Sequence, residues 1–333
     1  MISTPYIIIG LTVVLALAFD FINGFHDTAN AIATAVSTKA LSPRRAILIA
    51  SLMNLLGAIA FTGVAKTIAK DIVNLNVIPN GSVVILAALV SAIAWNLITW
   101  YFGIPSSSSH ALIGSIAGAA IAAAGVLSIN YKGFTSIIKS LILSPILAFV
   151  VGYIIFTIIK YVFKNYNLLR TNIGFRRCQA ITAAIQAFSH GTNDAQKSMG
   201  IITMALVSNN LTEPGHIPFW VQLSCATAMA LGTSIGGWRI IKTVGTQIMK
   251  IKPVNGVAAD LGSALVIFGA SKFGLPVSTT HVISSSIMGV GTAYRAKSVK
   301  WNTAKRMIIT WFITLPISAT LAGVVYKFIS MFL

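Results

Sequence analysis

Two short polar patterns each occur twice in the chain, and both are built from residues that bind ions. Phe21-Ile22-Asn23-Gly24-Phe25-His26-Asp27 matches Phe188-Ser189-His190-Gly191-Thr192-Asn193-Asp194. Gly103-Ile104-Pro105-Ser106-Ser107-Ser108-Ser109-His110 matches Gly274-Leu275-Pro276-Val277-Ser278-Thr279-Thr280-His281, and Pro145 matches Pro316 at the same spacing. In the first pattern a carboxylate stands among neutral oxygen donors: Asn23, Thr28 and Asn30 around Asp27, and Thr192, Asn193 and Gln196 around Asp194. Carboxylate, amide, hydroxyl and carbonyl oxygens are what a hard cation takes. In the second pattern proline ends one helix and Ser or Thr suits the N-cap of the next. Hydroxyls and unpaired backbone N–H groups then gather at the positive end of a helix, where a small anion binds.

The elements that position these residues must lie in a membrane. Of 333 residues 56% are hydrophobic and 9% charged, with a mean hydropathy of +0.84, which excludes a soluble protein. At about 20 apolar residues per span there is room for roughly ten transmembrane helices. The expected fold is an all-α polytopic membrane protein with segments near 5–38, 44–69, 82–102, 105–128, 135–163, 175–208, 217–237, 255–271, 276–294 and 303–331. Ser42-Pro43, Pro79-Asn80-Gly81-Ser82 and Glu213-Pro214-Gly215 mark loops. The polar stretch 164–177 reads as a cytoplasmic linker between a first repeat, 1–163, and a second, 178–333. Five segments per half, an odd number, predict an inverted-topology repeat with broken or re-entrant helices at the midplane. Gly24 and Gly191, three residues before each aspartate, are the expected points of breakage.

The net charge is +18, from 24 Lys and Arg against six acidic residues. On a soluble chain that would suggest nucleic acid. Here the basic residues sit mostly in short loops, where they set orientation, and the odd-numbered loops carry most of them. That asymmetry predicts a multi-pass cell-membrane protein with both termini extracytoplasmic and no nucleic-acid partner. Cys178 and Cys225 show no paired spacing, so neither a disulfide framework nor a zinc site is expected. The first basic residue is Lys39, so no positively charged region precedes the first apolar run as in a cleaved signal peptide.

A charge at mid-membrane costs about 2.5 to 3.5 kcal/mol, which makes Asp27 and Asp194 functional candidates. The plainer alternative is a structural aspartate bonded between helices, or for Asp194 an ion pair with Lys197 one turn on. Recurrence in matched copies favours function. Serine as glue between membrane helices is the plainer reading of the Ser/Thr runs, and duplication of the frame weighs against it too. His26, His110, His190 and His281 are candidates for gating or proton linkage, because histidine titrates near neutrality. Asp20 is a secondary candidate without a counterpart, since Ala187 stands at the equivalent place.

With these residues in hand, the chain resembles the inorganic phosphate transporter (PiT) family over nearly its whole length. The family carries a duplicated Gly-x-Asn-Asp motif, which HGTNDAQKSMGI from His190 follows well. NGFHDTANAI from Asn23 has His26 where the family usually has Asn. The resemblance implies a homodimeric symporter in the lipid bilayer that takes up phosphate with Na+ or H+ by alternating access. It implies ion or phosphate ligation by Asp27, Asn30, Asn193 and Asp194. The expected Na+ set is Asn23, Asp27, Asn30, Gln186, Thr192 and Asp194. The expected phosphate set is Ser106, Ser107, Ser108, Ser109, Ser278, Thr279, Thr280 and Asn193.

Importing an anion against a negative-inside potential costs about 2.3 kcal/mol per charge per 100 mV, so at least two coupled cations per phosphate are expected. The oxygen-rich motifs favour Na+, as coupling ion and sole cofactor, and the four histidines argue for H+. A sulfate permease is the alternative on substrate, and sulfate, the other tetrahedral dianion, lacks the P–OH proton that a free carboxylate would accept. A passive anion channel would not need two aspartates beside broken helices. An intramembrane enzyme would need a nucleophile and base or a metal-binding frame, and the sequence has neither.

Overall fold

A computed structural model describes residues 4–74, 77–78, 81–166 and 168–332. Pro79 and Asn80 of the predicted loop and Asn167 of the predicted linker fall outside them. Among the described residues all regular structure is helical except one bridge between Val73 and Ile129. The helices are α1 (Thr4–His26), α2 (Thr28–Ser37), α3 (Pro43–Ala58), α4 (Gly63–Asp71), α5 (Gly81–Tyr101), α6 (Ser108–Ala124) and α7 (Tyr131–Val162). They continue as α8 (Leu168–Ser208), α9 (Phe219–Ile235), α10 (Trp238–Lys242), α11 (Pro253–Lys272), α12 (Thr279–Arg295) and α13 (Trp301–Ile329).

The path α1–α2, then α5, α7, α11 and α13 are five helices long and apolar enough to cross a membrane, and α3 with α4 would make a sixth across a 65° bend. The sequence predicted ten such segments. The others are realised differently: α6, α9 and α12 have 17 residues each, about 26 Å of helix against a hydrocarbon core of about 30 Å. In α8, 41 residues long, polar groups interrupt the apolar run. Most of the predicted linker is the first turns of α8, which run on without a break into the buried part of that helix.

The order of elements repeats. A short helix led by the Ser/Thr run, a 3-10 turn and a long helix with an internal proline occur as α6, Val126–Ser128 and α7, then again as α12, Ala296–Ser298 and α13. Packing crosses the halves: α13 lies along α6, and α7 along α12. Gly118 faces Ala319 and Gly289 faces Phe149 so closely that a methyl group on either glycine would overlap the partner's carbonyl oxygen. Small residues at such crossings let membrane helices approach. Two apolar cores result, each drawing on both halves. One sets Phe19, Ile68 and Leu112 beside Met199, Val221 and Ala322, and the other sets Ile32, Ala148 and Phe156 beside Ile267, Ile287 and Trp311. Residues 1–163 and 178–333 are thus not separate packing units, since each supplies the helix that covers the other's short one.

Candidate functional site

The predicted breaks at the two glycines are not found. Only Asp27 interrupts the first helical path, and Asp27 N–H still donates to the Asn23 carbonyl at 2.8 Å. In the second copy α8 runs unbroken through Gly191 and Asp194. Both glycines serve close packing instead: a side chain at Gly24 would strike the backbone of Met229 and Thr233 on α9, and one at Gly191 that of Asn54 on α3. The aspartates are brought together by packing, without unwound backbone.

Asp27 is buried, and its partners come from several elements. His26 Nδ1 lies 2.6 Å from Oδ1, Thr280 Oγ1 donates to Oδ1 at 3.1 Å, and Ser108 donates to Oδ2. Asn30 Nδ2 donates to Thr280 Oγ1 at 2.9 Å. His26 Nε2 is 3.2 Å from Thr99 Oγ1, which Ser106 also contacts at 2.8 Å. Each Ser/Thr run therefore sends one hydroxyl to the first aspartate.

Asp194 is buried too, and its nearest partner is a cation. Lys197 Nζ donates to Oδ1 at 2.5 Å, and Thr279 Oγ1 to Oδ2 at 3.1 Å. Asn23 Nδ2 and His190 Nε2 each stand 3.4 Å from Oδ2. Asn23 thus reaches from the first motif to the second. His190 Nδ1 is held 3.0 Å from Asn54 Oδ1.

The two runs meet at their histidines, whose ring centroids are 4.6 Å apart, with His281 stacked on Trp311 at 4.0 Å. Ser107 and Ser278 act as N-caps, accepting from His110 N–H at 3.1 Å and His281 N–H at 3.3 Å. Ser109 Oγ donates to the Val277 carbonyl at 2.9 Å and ties one run to the other. The positive ends of α6 and α12 converge on the aspartates, a setting suited to an anion.

Some predicted ligands are engaged elsewhere. Asn193 accepts from Val277 N–H at 3.1 Å and donates to Ser271 Oγ and the Leu275 carbonyl. It fastens the second run to α8. Thr192 Oγ1 is held by the Ser189 carbonyl at 2.7 Å and Ser271 Oγ at 3.1 Å, and Gln196 by the Ala65 N–H and the Thr192 carbonyl. Gln186 lies eight residues before Asp194 on one helix, about 12 Å away along the axis. It belongs with another buried carboxylate, since Ser263 Oγ donates to Gln186 Oε1 at 2.8 Å, and Asp260 one turn before Ser263 accepts from Thr34 at 2.7 Å and Thr182 at 3.0 Å. Sequence reasoning missed Asp260, although a carboxylate inside the apolar run of α11 is the signal that marked Asp27 and Asp194. It has no repeated copy to draw the eye. Asp20 is buried beside Ser198 and Cys225.

Among the described residues, Asn23 Oδ1 and Asn30 Oδ1 are buried amide oxygens without a hydrogen-bond partner. Such groups are rare in native structures. They lie four residues before and three after Asp27 in the sequence, and amide oxygens are among the donors a hard cation takes.

The sequence model of the phosphate transporter family matches residues 23–173 and 164–322. The "probable low-affinity inorganic phosphate transporter" of Bacillus subtilis (strain 168) is 69% identical over 322 residues, covering 96% of this chain and 97% of that protein. A protein of the same description from Rhizobium meliloti (strain 1021) is 41% identical, covering 96% of each chain. A solved structure described as "the sodium-dependent phosphate transporter" superposes with a TM-score of 0.89 at 27% identity, over 98% of this chain and 100% of that one.

Proposed function

The chain belongs to the phosphate transporter family, and on that premise we propose that it imports inorganic phosphate in symport with Na+ by alternating access. One observation carries the reading. The hydroxyls of Ser108, Thr279 and Thr280, which would hold an anion between the two runs, donate to the carboxylates of Asp27 and Asp194. A cation on Asp27, held with the unpartnered oxygens of Asn23 and Asn30, competes for that carboxylate and releases Ser108 and Thr280 to donate to phosphate. Cation and anion then favour each other's binding by the same factor. The P–OH proton of phosphate finds a carboxylate acceptor if one aspartate takes no mobile cation, and sulfate has no such proton, which supports selection of phosphate.

Proton coupling is the second reading, favoured by the 2.6 Å approach of His26 Nδ1 to Asp27. The repeated order of elements and the crossed packing support two inverted repeats. The charge of the loops supports extracytoplasmic termini in a cell membrane, and the dimer rests on the family alone. The test is labelled-phosphate uptake into proteoliposomes under an imposed Na+ or H+ gradient, with sulfate as competitor. Uptake driven by Na+ and indifferent to sulfate is the expected result. Drive by H+ alone would give the coupling role to Asp27 and His26 as proton carriers, and uptake indifferent to both gradients would overturn symport.

A further inference from the structure

The two motif copies differ by one formal charge. Three residues after the first aspartate stands Asn30, and three after the second stands Lys197. Among the described residues Lys197 is the one Lys or Arg that is fully buried. Its Nζ lies 2.5 Å from Asp194 Oδ1, while the other oxygen of that carboxylate takes neutral donors from Thr279 and Asn23. Thr279 of the second run donates to the same carboxylate, so the pair stands at the head of α12.

A structural role explains this pair poorly. Both partners belong to α8, three residues apart, so the bond ties no helix to another. Desolvating an ammonium and a carboxylate costs more than burying neutral groups that pack as well. What the pair does accomplish is to neutralise Asp194 in place. Among the described residues Asp27, the matched carboxylate, is bonded to His26 and to the hydroxyls of Ser108 and Thr280, with no Lys or Arg in a salt bridge to it, and the amide oxygens of Asn23 and Asn30 in the same motif are unpartnered. One aspartate is thus left for a mobile cation and the other is supplied with a fixed one.

We propose that Lys197 is a tethered cation occupying the coupling-ion position of the second motif, so that each transport cycle carries one cation fewer than a carrier with an exchangeable ion on each aspartate. The inference rests on the symport reading above. It deepens that reading by assigning the exchangeable site to Asp27 and excluding one at Asp194. The ammonium travels out and back with the protein, so it balances charge inside the site and contributes no gradient. The fixed charge does none of the electrical work of import, which falls to the exchangeable cations alone.

The test compares the purified full-length wild type with Lys197→Asn, which copies the residue of the first motif, and with Lys197→Arg, which keeps the charge. In voltage-clamped proteoliposomes, labelled phosphate and the coupling cation are counted together. The wild type and Lys197→Arg are expected to share one cation-to-phosphate ratio. Lys197→Asn is expected to take one more cation per phosphate and to show a steeper dependence of uptake on cation concentration. An unchanged ratio with a raised KM for phosphate would overturn the proposal and make the ammonium a phosphate ligand. If Lys197→Asn does not transport, thermal unfolding of the purified protein decides. A larger rise in Tm with added Na+ than the wild type shows supports an opened cation site, and an equal or smaller rise overturns it. A wild type driven by no cation gradient would instead overturn symport itself, whatever the variant does.

Discussion

Asp27 and Asp194 stand at matched places in two copies of one motif, yet their surroundings divide the work of charge balance between them. Around Asp27 the partners are a histidine and hydroxyls drawn from α1, α6 and α12. Around Asp194 the nearest partner is an ammonium from the same helix. The lesson is that duplication supplies the scaffold, namely two aspartates, two hydroxyl runs and two caps, while one residue per copy sets which site exchanges its ion.

The comparison breaks first at Asp27→Asn. The amide keeps the shape, its oxygen still accepts from one of Ser108 and Thr280, and its NH2 can donate to the other hydroxyl once that rotates, so folding is expected to survive. Cation-driven phosphate uptake is expected to fall at least about a hundredfold, since the energy of the mobile ion is lost; proteoliposome uptake near the wild-type rate would remove Asp27 from coupling. The mirror variant, Asp194→Asn, is expected to act on stability. It leaves Lys197 buried without its counter-charge, at a cost of about 3 to 5 kcal/mol, and the double variant Asp194→Asn with Lys197→Asn is expected to regain most of it. Unfolding of the detergent-solubilised proteins measures both, and equal melting of Asp27→Asn and Asp194→Asn would erase the distinction.

Removing single hydroxyls sharpens the contrast at smaller scale. Thr280→Val deletes a donor to Asp27 and the acceptor of Asn30. Hydrogen bonds to charged groups are worth about 1.5 to 3 kcal/mol, so a loss of about tenfold or more in phosphate affinity is expected. Thr279→Val is expected to lose less, because Lys197 still balances Asp194; titration of phosphate binding ranks the two. The smallest effect tests what the copies share. Ser107→Ala and Ser278→Ala each delete an N-cap and are expected to cost about 1 kcal/mol each. A large inequality in their melting temperatures would mean that the matched caps are not equivalent.

The membrane class and the duplicated motifs were legible because polar residues inside apolar runs are costly and therefore informative. What escaped was decided by neighbours far off in the chain. Gly191 does not break α8, since Asn54 of another helix needs its bare backbone. Gln186 shares a helix with Asp194 but faces the Asp260 cluster, which spacing along one helix cannot show without its partners. Ten apolar runs were read as ten spans, although a run of 17 residues becomes a full crossing or a short one according to what covers it.

The crossed packing of α6 on α13 and α7 on α12 also sets a timetable for biosynthesis. The helix that covers α6 begins at Trp301, about 180 residues after Ala124. At about 5 to 20 residues per second of synthesis, α6 waits roughly 10 to 35 s for its partner. During that interval its glycine face is uncovered, and the first half of the site has emerged without being able to close. The half-site becomes a site only when the last helix arrives, so the chain assembles its binding chemistry late and all at once.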